Sequence, residues 1–346
     1  MVDDLMFSAP APESLRPGSL LADRYHVERL LGADQAGRRY LALDTEHAMG
    51  PVLLQEVLVP SFPTRAARDE AARWLTDRVA RLRLLAHPGI AAVHDCHVPP
   101  ALAAPFYIAL AYVPGLTPAE ELEEADGALS WRQALDWGIS LCDTLEYLHR
   151  QRPAYVHGAL RPHTIVVDSQ SARPMLIDLG LARWLNPAPG DRWGYVPFEQ
   201  YIGREEPRSD LYSLGALLYT LLCGYDPDAD LAHLRRAGSD VQRAQRRLFP
   251  PLDADSSGIP AALAAALARA TAFTIDDRFP SAAALGEALR AVRGPAVEVE
   301  APAPPTGAEE PVWVRLGLTQ HAWFALPIAE RNRRLLGLVH PPTPDR

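Results

Sequence analysis

The hydrophobic pattern changes along the chain, and this change constrains the fold more than any other feature of the sequence. Short runs typical of β-strands, separated by turn residues, occupy residues 24–60, 90–98 and 106–113. Helical spacing characterises residues 64–86 and most of the chain from Trp131 onward. The helices predicted in that later part cover residues 131–151, 209–224, 259–272 and 280–292. We therefore expect an α+β fold in which a small strand-rich part precedes a larger helical part.

The composition of both chain ends differs from that of the centre. Proline and serine near the N-terminus predict a flexible lead, and a stretch rich in proline, alanine and glutamate predicts a linker after the last helix. The expected segments are a lead (residues 1–20), a strand-rich lobe (21–111), a helical lobe (112–294), a linker (295–311) and a C-terminal tail without an assigned role (312–346).

Charge and cysteine content exclude several functional classes. The formal net charge of −9 argues against nucleic acid as the main partner. The 3 cysteines lie far apart with no CxxC pair, which is typical of a reducing cytoplasm and argues against a disulfide framework. No run reaches the roughly 18 apolar residues of a membrane span. We therefore expect a cytoplasmic protein with no nucleic-acid partner and no membrane span.

One compositional feature bears directly on phosphate chemistry. The chain contains no lysine, so all 34 residues in the Lys+Arg count are arginine. A GC-rich genome accounts for this bias through codon usage. The chemical consequence holds regardless of its cause, because no lysine ammonium is present to hold a phosphate group.

Several short motifs follow one another in a fixed order over about residues 20–294. They are GADQAGRR from Gly32, VLLQ from Val52, HGALRPHT from His157, DLG from Asp178 and GYVPFEQYIGREEPRSDLYSLG from Gly194. In type and order they resemble the motifs of bacterial eukaryotic-like serine/threonine protein kinases, whose catalytic loop reads HRDLKPxN. The resemblance implies a bilobal protein-kinase-like fold, with a small β-rich N-lobe and a larger α-helical C-lobe.

The resemblance implies that four residues keep structural roles in the C-lobe. His157 matches the histidine of the catalytic loop, and Asp210 matches the buried aspartate that holds the backbone of this loop. Glu199 and Arg278 match a glutamate and an arginine that pair inside the lobe. Since removal of one member of a buried ion pair typically costs about 3–5 kcal/mol, a chain that keeps both members is expected to fold a stable C-lobe.

The nucleotide-binding positions implied by the resemblance are altered. Asp34 replaces the middle glycine of the glycine loop, and Arg39 replaces the valine that covers the adenine ring. Leu53 replaces a small alanine, and Gln55 replaces the lysine that anchors the phosphates. The helix glutamate that pairs with this lysine falls at Arg78, with the neighbouring Asp77 as an alternative. The degenerate nucleotide site therefore comprises Gly32, Asp34, Gly37, Arg39, Leu53 and Gln55.

The catalytic loop is altered as well. Ala159 replaces the aspartate that orients the acceptor hydroxyl, and Thr164 replaces the asparagine that holds the second magnesium ion. Arg161 replaces a lysine and keeps its charge. Phosphoryl transfer depends mainly on positioning and electrostatic stabilisation, so the joint loss at Gln55, Ala159 and Thr164 leaves no catalytic residues expected. Asp178 remains a candidate Mg²⁺ ligand.

The segment between the DLG triplet and Glu199 lacks the residues that commonly switch these proteins. Residues 178–199 contain no serine or threonine, and Tyr195 carries the only hydroxyl group. Phosphorylation of a Ser or Thr within this segment is therefore not expected. We predict instead that the segment is fixed by packing of Trp184, Leu185 and Trp193.

Two functions follow from these observations. The interpretation that we favour is a catalytically inactive pseudokinase, a regulatory or scaffolding module whose partner is a protein, such as an active kinase or another signalling protein. It needs no cofactor. The alternative is a weakly active or ATP-binding serine/threonine protein kinase, which would use ATP and Mg²⁺. An open adenine slot would favour the alternative, and Leu53 and Arg39 argue against such a slot.

Overall fold

The described residues belong to the first of two units, Met1–Arg293 and Gly294–Arg346. The computed structural model describes residues 14–34, 37–46, 50–59, 62, 64–125, 127–185, 194–224, 227, 248–252 and 258–293. The predicted linker (295–311) and tail (312–346) therefore lie outside the described residues.

The strands of the N-lobe are β1 (Leu20–Leu21), β2 (Tyr25–Asp34), β3 (Gly37–Asp44), β4 (Pro51–Val57), β5 (Val93–His97) and β6 (Phe106–Ala111). They form a six-stranded antiparallel sheet in the order β1-β2-β3-β4-β6-β5. Along β4, alternate residues enter two different cores because successive side chains point to opposite faces. Leu53 and Val57 join the main core, whereas Val52 and Leu54 join a second core on the other face.

The outer face of this sheet is covered by the segment that precedes β1. Leu15 packs against the second core, and its backbone N–H donates a hydrogen bond to the Tyr40 hydroxyl at 3.2 Å. Tyr40 in turn donates to the buried Glu56 carboxylate at 2.9 Å, and Arg38 pairs with the other carboxylate oxygen at 2.9 Å. Burial raises the pKa of Glu56 against the opposing effect of these two partners. Of the lead predicted to be flexible over residues 1–20, the part that begins at Leu15 is therefore attached to the sheet.

Helix α1 (Arg65–Leu82) packs on the inner face of the sheet. The Thr64 side chain caps it by accepting a hydrogen bond from the Ala67 N–H. The guanidinium of Arg68 is fully buried, and its N–H groups donate to the carbonyl groups of Pro99, Leu102 and Ala104. These three backbone acceptors fix the start of α1 to the loop between β5 and β6.

The C-lobe is organised around helix α6 (Pro207–Cys223), whose residues are buried on almost every side. Two glycines allow its neighbours to approach closely. A Cβ at Gly138 of α3 (Trp131–His149) would lie 2.8 Å from Leu218 Cδ1, and a Cβ at Gly215 would lie 2.9 Å from Ala270 Cβ. A small sheet in the order β7-β8-β9 lies beside the helices. The helices are α2 (Pro118–Glu124), α3 (Trp131–His149), α4 (Leu181–Leu185), α5 (Phe198–Tyr201), α6 (Pro207–Cys223), α7 (Ala261–Ala270) and α8 (Ala282–Arg293). The strands are β7 (Gly115–Leu116), β8 (Ile165–Asp168) and β9 (Pro174–Leu176).

The α+β fold with a strand-rich lobe followed by a helical lobe is confirmed. The four helices predicted after Trp131 correspond to α3, α6, α7 and α8. Throughout the described part of the chain, every helix is too short or too polar to cross a membrane.

Candidate functional site

The candidate site lies where the β2–β3 hairpin faces the loop that joins α3 to β8. The hairpin closes with Asp34 paired to Gly37 and with Gly32 paired to Arg39. Gly37 has a φ of +144°, and a Cβ there would lie 1.9 Å from the Glu56 carbonyl oxygen. Only glycine fits this position, so the backbone conformation alone requires a glycine at position 37, whether or not a phosphate binds nearby.

Arg39 reaches from the hairpin to the opposite lobe. Its Nη1 group donates a hydrogen bond to the backbone carbonyl oxygen of His163 in the catalytic loop. Its guanidinium also lies beside Gly32, where a Cβ would be 3.2 Å from Nη2. The side chain that replaces the family's valine therefore contacts both sides of the cleft.

Strand β4 forms one wall of the cleft, and the side chains on this wall are buried. Leu53 lies between Leu41 and Leu110 in the register of the sheet, and Gln55 lies between Arg39 and Ile108. Positions 53 and 55 point to the same face because they are two residues apart. Leu53 is 3% exposed and Gln55 is 5% exposed. At the position of the anchoring lysine, the cleft therefore presents a neutral amide.

Of the two candidates on α1, Arg78 faces the other lobe and Asp77 is exposed. The Arg78 guanidinium carbon lies 4.4 Å from the centroid of the Tyr155 ring, a cation–π arrangement. Tyr155 is fully buried, and its hydroxyl donates to the backbone carbonyl oxygen of Leu179 in the DLG triplet. Burial raises the pKa of Tyr155, which keeps the hydroxyl protonated as a donor.

The catalytic loop is held from below by Asp210 of α6. Its carboxylate accepts hydrogen bonds from the backbone N–H groups of His157, at 2.9 Å, and Gly158, at 2.7 Å. The His149 ring lies 2.8 Å from the same carboxylate. Burial alone would raise the pKa of Asp210, but the hydrogen bond and charge of His149, assisted by His157 and Gly158, hold that pKa below its usual range.

The His157 ring links the catalytic loop to the DLG triplet. Its Nε2 atom lies 2.7 Å from the Asp178 carbonyl oxygen, and its Nδ1 atom lies 3.2 Å from the Ala159 backbone N–H. Only one tautomer satisfies both contacts, with the proton on Nε2. Burial lowers the pKa of His157, which favours this neutral form.

The positions of the family's base and metal ligands hold an alanine, a threonine and an aspartate. Ala159 has no acceptor side chain. The Thr164 hydroxyl accepts from the Arg161 N–H at 3.1 Å and donates to the Arg161 carbonyl oxygen at 2.9 Å. Asp178 accepts from the Gly180 N–H at 2.7 Å. Among the described residues, no cluster of three His, Cys, Asp or Glu side chains could hold a metal ion. This donor set does not fit the two-magnesium arrangement of the kinase reaction.

Glu199 and Arg278 are paired beneath the site. Arg278 Nη1 lies 2.6 Å from Glu199 Oε1, and Nη2 lies 3.1 Å from Oε2, which is a bidentate geometry. Arg278 is 1% exposed and Glu199 is 9% exposed. Ser209 donates to Glu199 at 2.9 Å, and Arg278 also donates to the Ala272 carbonyl oxygen at 2.8 Å. Each charge in the pair is therefore surrounded by hydrogen-bonding partners.

One arrangement at the site was missed by the sequence analysis. Gly158 has a φ of +63°, and a Cβ there would lie 2.4 Å from the guanidinium carbon of Arg183. Arg183 forms an ion pair with Glu205 and donates to the Val156 carbonyl oxygen at 2.9 Å. The signal was present in the sequence, since glycine replaces the arginine of the family's HRD triplet. This glycine leaves room for Arg183.

Comparisons with known proteins agree with this architecture. A family model described as "Protein kinase domain" matches residues 25–247. Among curated proteins, the serine/threonine-protein kinase PknK of Mycobacterium bovis is 33% identical over 256 residues, which cover 70% of this chain and 22% of that protein. The serine/threonine-protein kinase PknB of Mycolicibacterium smegmatis is 28% identical over 253 residues, which cover 68% of this chain and 39% of that protein. The chain thus spans well under half the length of these relatives.

A solved structure shows the same fold. The kinase domain of Mycobacterium tuberculosis PknI aligns with a TM-score of 0.60 and 25% identity over 82% of this chain and 100% of that chain. Because the family model matches more than half of the 346 residues, the chain belongs to the protein kinase domain family.

Proposed function

We propose that this protein is a catalytically inactive member of its family, a pseudokinase that acts as a regulatory or scaffolding module for a protein partner in bacterial signalling. The observation that carries the proposal is a catalytic loop whose backbone is held by buried hydrogen bonds but which lacks the side chains that perform phosphoryl transfer. Asp210 and His157 hold the loop backbone, yet Ala159 presents no base and the Thr164 hydroxyl is engaged with Arg161.

The nucleotide side of the cleft supports the same conclusion. ATP in this family is held by a lysine, by glycine-loop amides and by magnesium bound to two side chains. Here the lysine position holds a buried glutamine, and the Arg39 guanidinium lies between the hairpin and the catalytic loop. Asp178 is the remaining carboxylate of the metal set. We therefore infer that the protein works without ATP and without a metal cofactor.

A protein partner is the remaining class of ligand for such a module. The net charge of −9 disfavours nucleic acid. The spaced cysteines support a reducing compartment, and we propose the cytoplasm. We expect the partner to be an active kinase or another signalling protein, which an inactive kinase-like domain would bind and regulate.

The experiment is a transfer assay with radiolabelled ATP, Mg²⁺ or Mn²⁺, and a generic acceptor. The wild-type protein is expected to give no more label than a heat-denatured control. A parallel melting titration with ATP is expected to show no shift, although a ligand at about a thousand times its Kd would stabilise the protein by about 4 kcal/mol. Label above background that Asp178→Ala abolishes would overturn the proposal.

The second candidate is a weakly active or ATP-binding serine/threonine protein kinase. Asp178 and Arg161 favour it, because a carboxylate and a buried cation remain at the positions that contact metal and phosphate in this family. The same assay separates the two candidates. The triple variant Gln55→Lys, Ala159→Asp, Thr164→Asn serves as the comparison, since labelling by this variant alone would assign inactivity to the three positions.

A further inference from the structure

The contact of Arg39 with His163 joins two parts of the chain that are 124 residues apart. Arg39 belongs to β3 of the N-lobe, and His163 belongs to the short 3-10 turn Pro162–Thr164 of the catalytic loop. The acceptor is a backbone carbonyl group and the donor is a permanently charged guanidinium. Such charge-assisted hydrogen bonds are roughly twice as strong as neutral ones.

The sequence around Arg39 leaves space for this contact. Gly32, its partner across the hairpin, has no side chain, and the Arg39 Nη2 atom lies only 3.2 Å from where a Cβ would be. On the other side, its register partner on β4 is Gln55 rather than a lysine. A lysine at position 55 would place a second cation on the same face, whereas a neutral amide does not repel the guanidinium.

A second contact joins the lobes through α1. The Arg78 guanidinium lies over the Tyr155 ring at 4.4 Å, and the Tyr155 hydroxyl donates to the Leu179 carbonyl oxygen. Arg78 is thereby linked to the DLG triplet. Both contacts run from a cation of the N-lobe to a neutral group of the C-lobe, and both use positions where the family has residues that serve the nucleotide.

From these contacts we propose that Arg39 occupies the nucleotide cleft and, together with Arg78, holds the two lobes closed in the absence of any nucleotide. In an ATP-using kinase the nucleotide itself contacts both lobes; here the chain supplies that link. The proposal rests on the proposed function, because it treats the cleft as filled by the protein rather than open to ATP. The partner would then meet one closed form of the domain.

Hydrogen exchange followed by mass spectrometry tests this proposal on the full chain. The variants are Arg39→Gln and Arg78→Gln, and the matched control is Arg81→Gln, an exposed arginine one turn further along α1. We expect Arg39→Gln to speed exchange about tenfold in residues 159–164 and in the hairpin residues 30–34 and 37–41, the change that follows from losing about 1.4 kcal/mol of local protection. Arg78→Gln should speed exchange at residues 177–180.

A local rise in these peptides, with unchanged exchange in α6 and no effect of Arg81→Gln, supports the proposal. Unchanged exchange in the Arg39 variant overturns it, and so does an equal rise in α6, which would report global loss of stability. Arg39→Lys gives an independent check, since a shorter cation should restore part of the protection. Transfer of phosphate by the wild-type protein would contradict the inactive assignment without changing these exchange rates, so the two failures are distinguishable.

Discussion

The buried supports of the catalytic loop and the cleft surface that this loop forms differ in what they have kept. The supports include Asp210, His157 and the Glu199–Arg278 pair, and all of them make the contacts expected of a kinase C-lobe. The surface has Gln55 and Ala159 where phosphoryl transfer needs a lysine and an aspartate. The supports therefore keep the buried contacts on which folding depends, whereas the proposed function would free the cleft surface from the demands of phosphoryl transfer.

The physical reason lies in the cost of an unpaired buried charge. Removing Asp210 would leave two backbone N–H groups and a histidine without their acceptor, and such losses reduce the free energy of unfolding by several kcal/mol. Replacing a lysine by Gln55, or an aspartate by Ala159, removes a charge without leaving a buried partner. The fold therefore tolerates changes in the cleft that it would not tolerate beneath it.

The largest effect that would test this comparison is expected at Glu199. Glu199→Ala should lower the free energy of unfolding by about 3–5 kcal/mol, because Arg278 would stay buried without its carboxylate. Chemical denaturation of the variant and the parent measures the difference. An unchanged midpoint would show that the pair does not stabilise the C-lobe. The difference drawn between the buried supports and the cleft surface would then not hold for this pair.

A smaller effect is expected where the glycine of the catalytic loop leaves room for Arg183. Gly158→Ala should cost about 2–4 kcal/mol, because the left-handed backbone is strained by a side chain and the new Cβ displaces the Arg183 guanidinium. Gly203→Ala is the matched control, since its φ is +67° but no atom lies within 4 Å of the added Cβ. It should cost about 1–2 kcal/mol. Equal losses in the two variants would mean that the Arg183 contact contributes nothing.

The stability of the protein is expected to depend on pH. Burial lowers the pKa of four histidines, which are His87, His94, His97 and His157. Because the unfolded chain takes up protons near pH 6.5 while these folded-state groups resist protonation, stability should be fully present above that pH and should fall as the pH drops from 7 to 5. A fully buried histidine such as His157 contributes at most about 1.4 kcal/mol per pH unit. The raised pKa of Glu56 acts in the opposite direction.

Denaturation midpoints measured between pH 7.5 and 5 test this sign. His157→Gln should be less stable at neutral pH and should show a flatter profile than the parent. Stability that stays constant or increases toward pH 5 would contradict the role given to the buried histidines.

The smallest effect is expected on the solvent side of α1. Arg65 and Asp69 form an exposed pair at 3.2 Å, and the Asp69 side chain is 47% exposed. Asp69→Ala should change stability by no more than about 0.5 kcal/mol in the same denaturation assay. A loss above 1 kcal/mol would show that burial is not what separates the important charges from the unimportant ones.

The sequence predicted the fold well because its signals are local. Periodicity located α3, α6, α7 and α8, and the resemblance of the motifs to those of protein kinases identified the catalytic loop and its supports. The sequence identified Arg39 as the replacement of the valine that covers the adenine ring. Its contact with His163 was not predicted, since a contact across 124 residues depends on how the lobes meet. The role of Gly158 was missed for a similar reason. A glycine in the sequence indicates that a side chain is missing, but it does not identify the distant residue, here Arg183, that packs against that position.

The segment between residues 178 and 199 shows the same limit. The structure describes Leu185 as buried, and Tyr195 as buried with its hydroxyl 3.0 Å from the Thr220 hydroxyl. The packing predicted for Trp193 and for the Trp184 side chain lies outside the described residues. The ion pair of Arg183 with Glu205 is an anchor that periodicity could not indicate, since the two residues lie 22 positions apart.

Leu15 and Leu21 pack on the outer face of the N-lobe sheet, so they determine where a folded fragment of this domain can begin. The family match begins at residue 25, so a recombinant fragment cut at that point would keep every motif of the family. It would also lack β1 and the leucines that cover the second core, to which Tyr40, Val52 and Leu54 belong, and it would lose the Leu15 N–H that donates to the Tyr40 hydroxyl. A fragment intended to fold should therefore begin before Leu15, about ten residues earlier than the family's own boundary suggests.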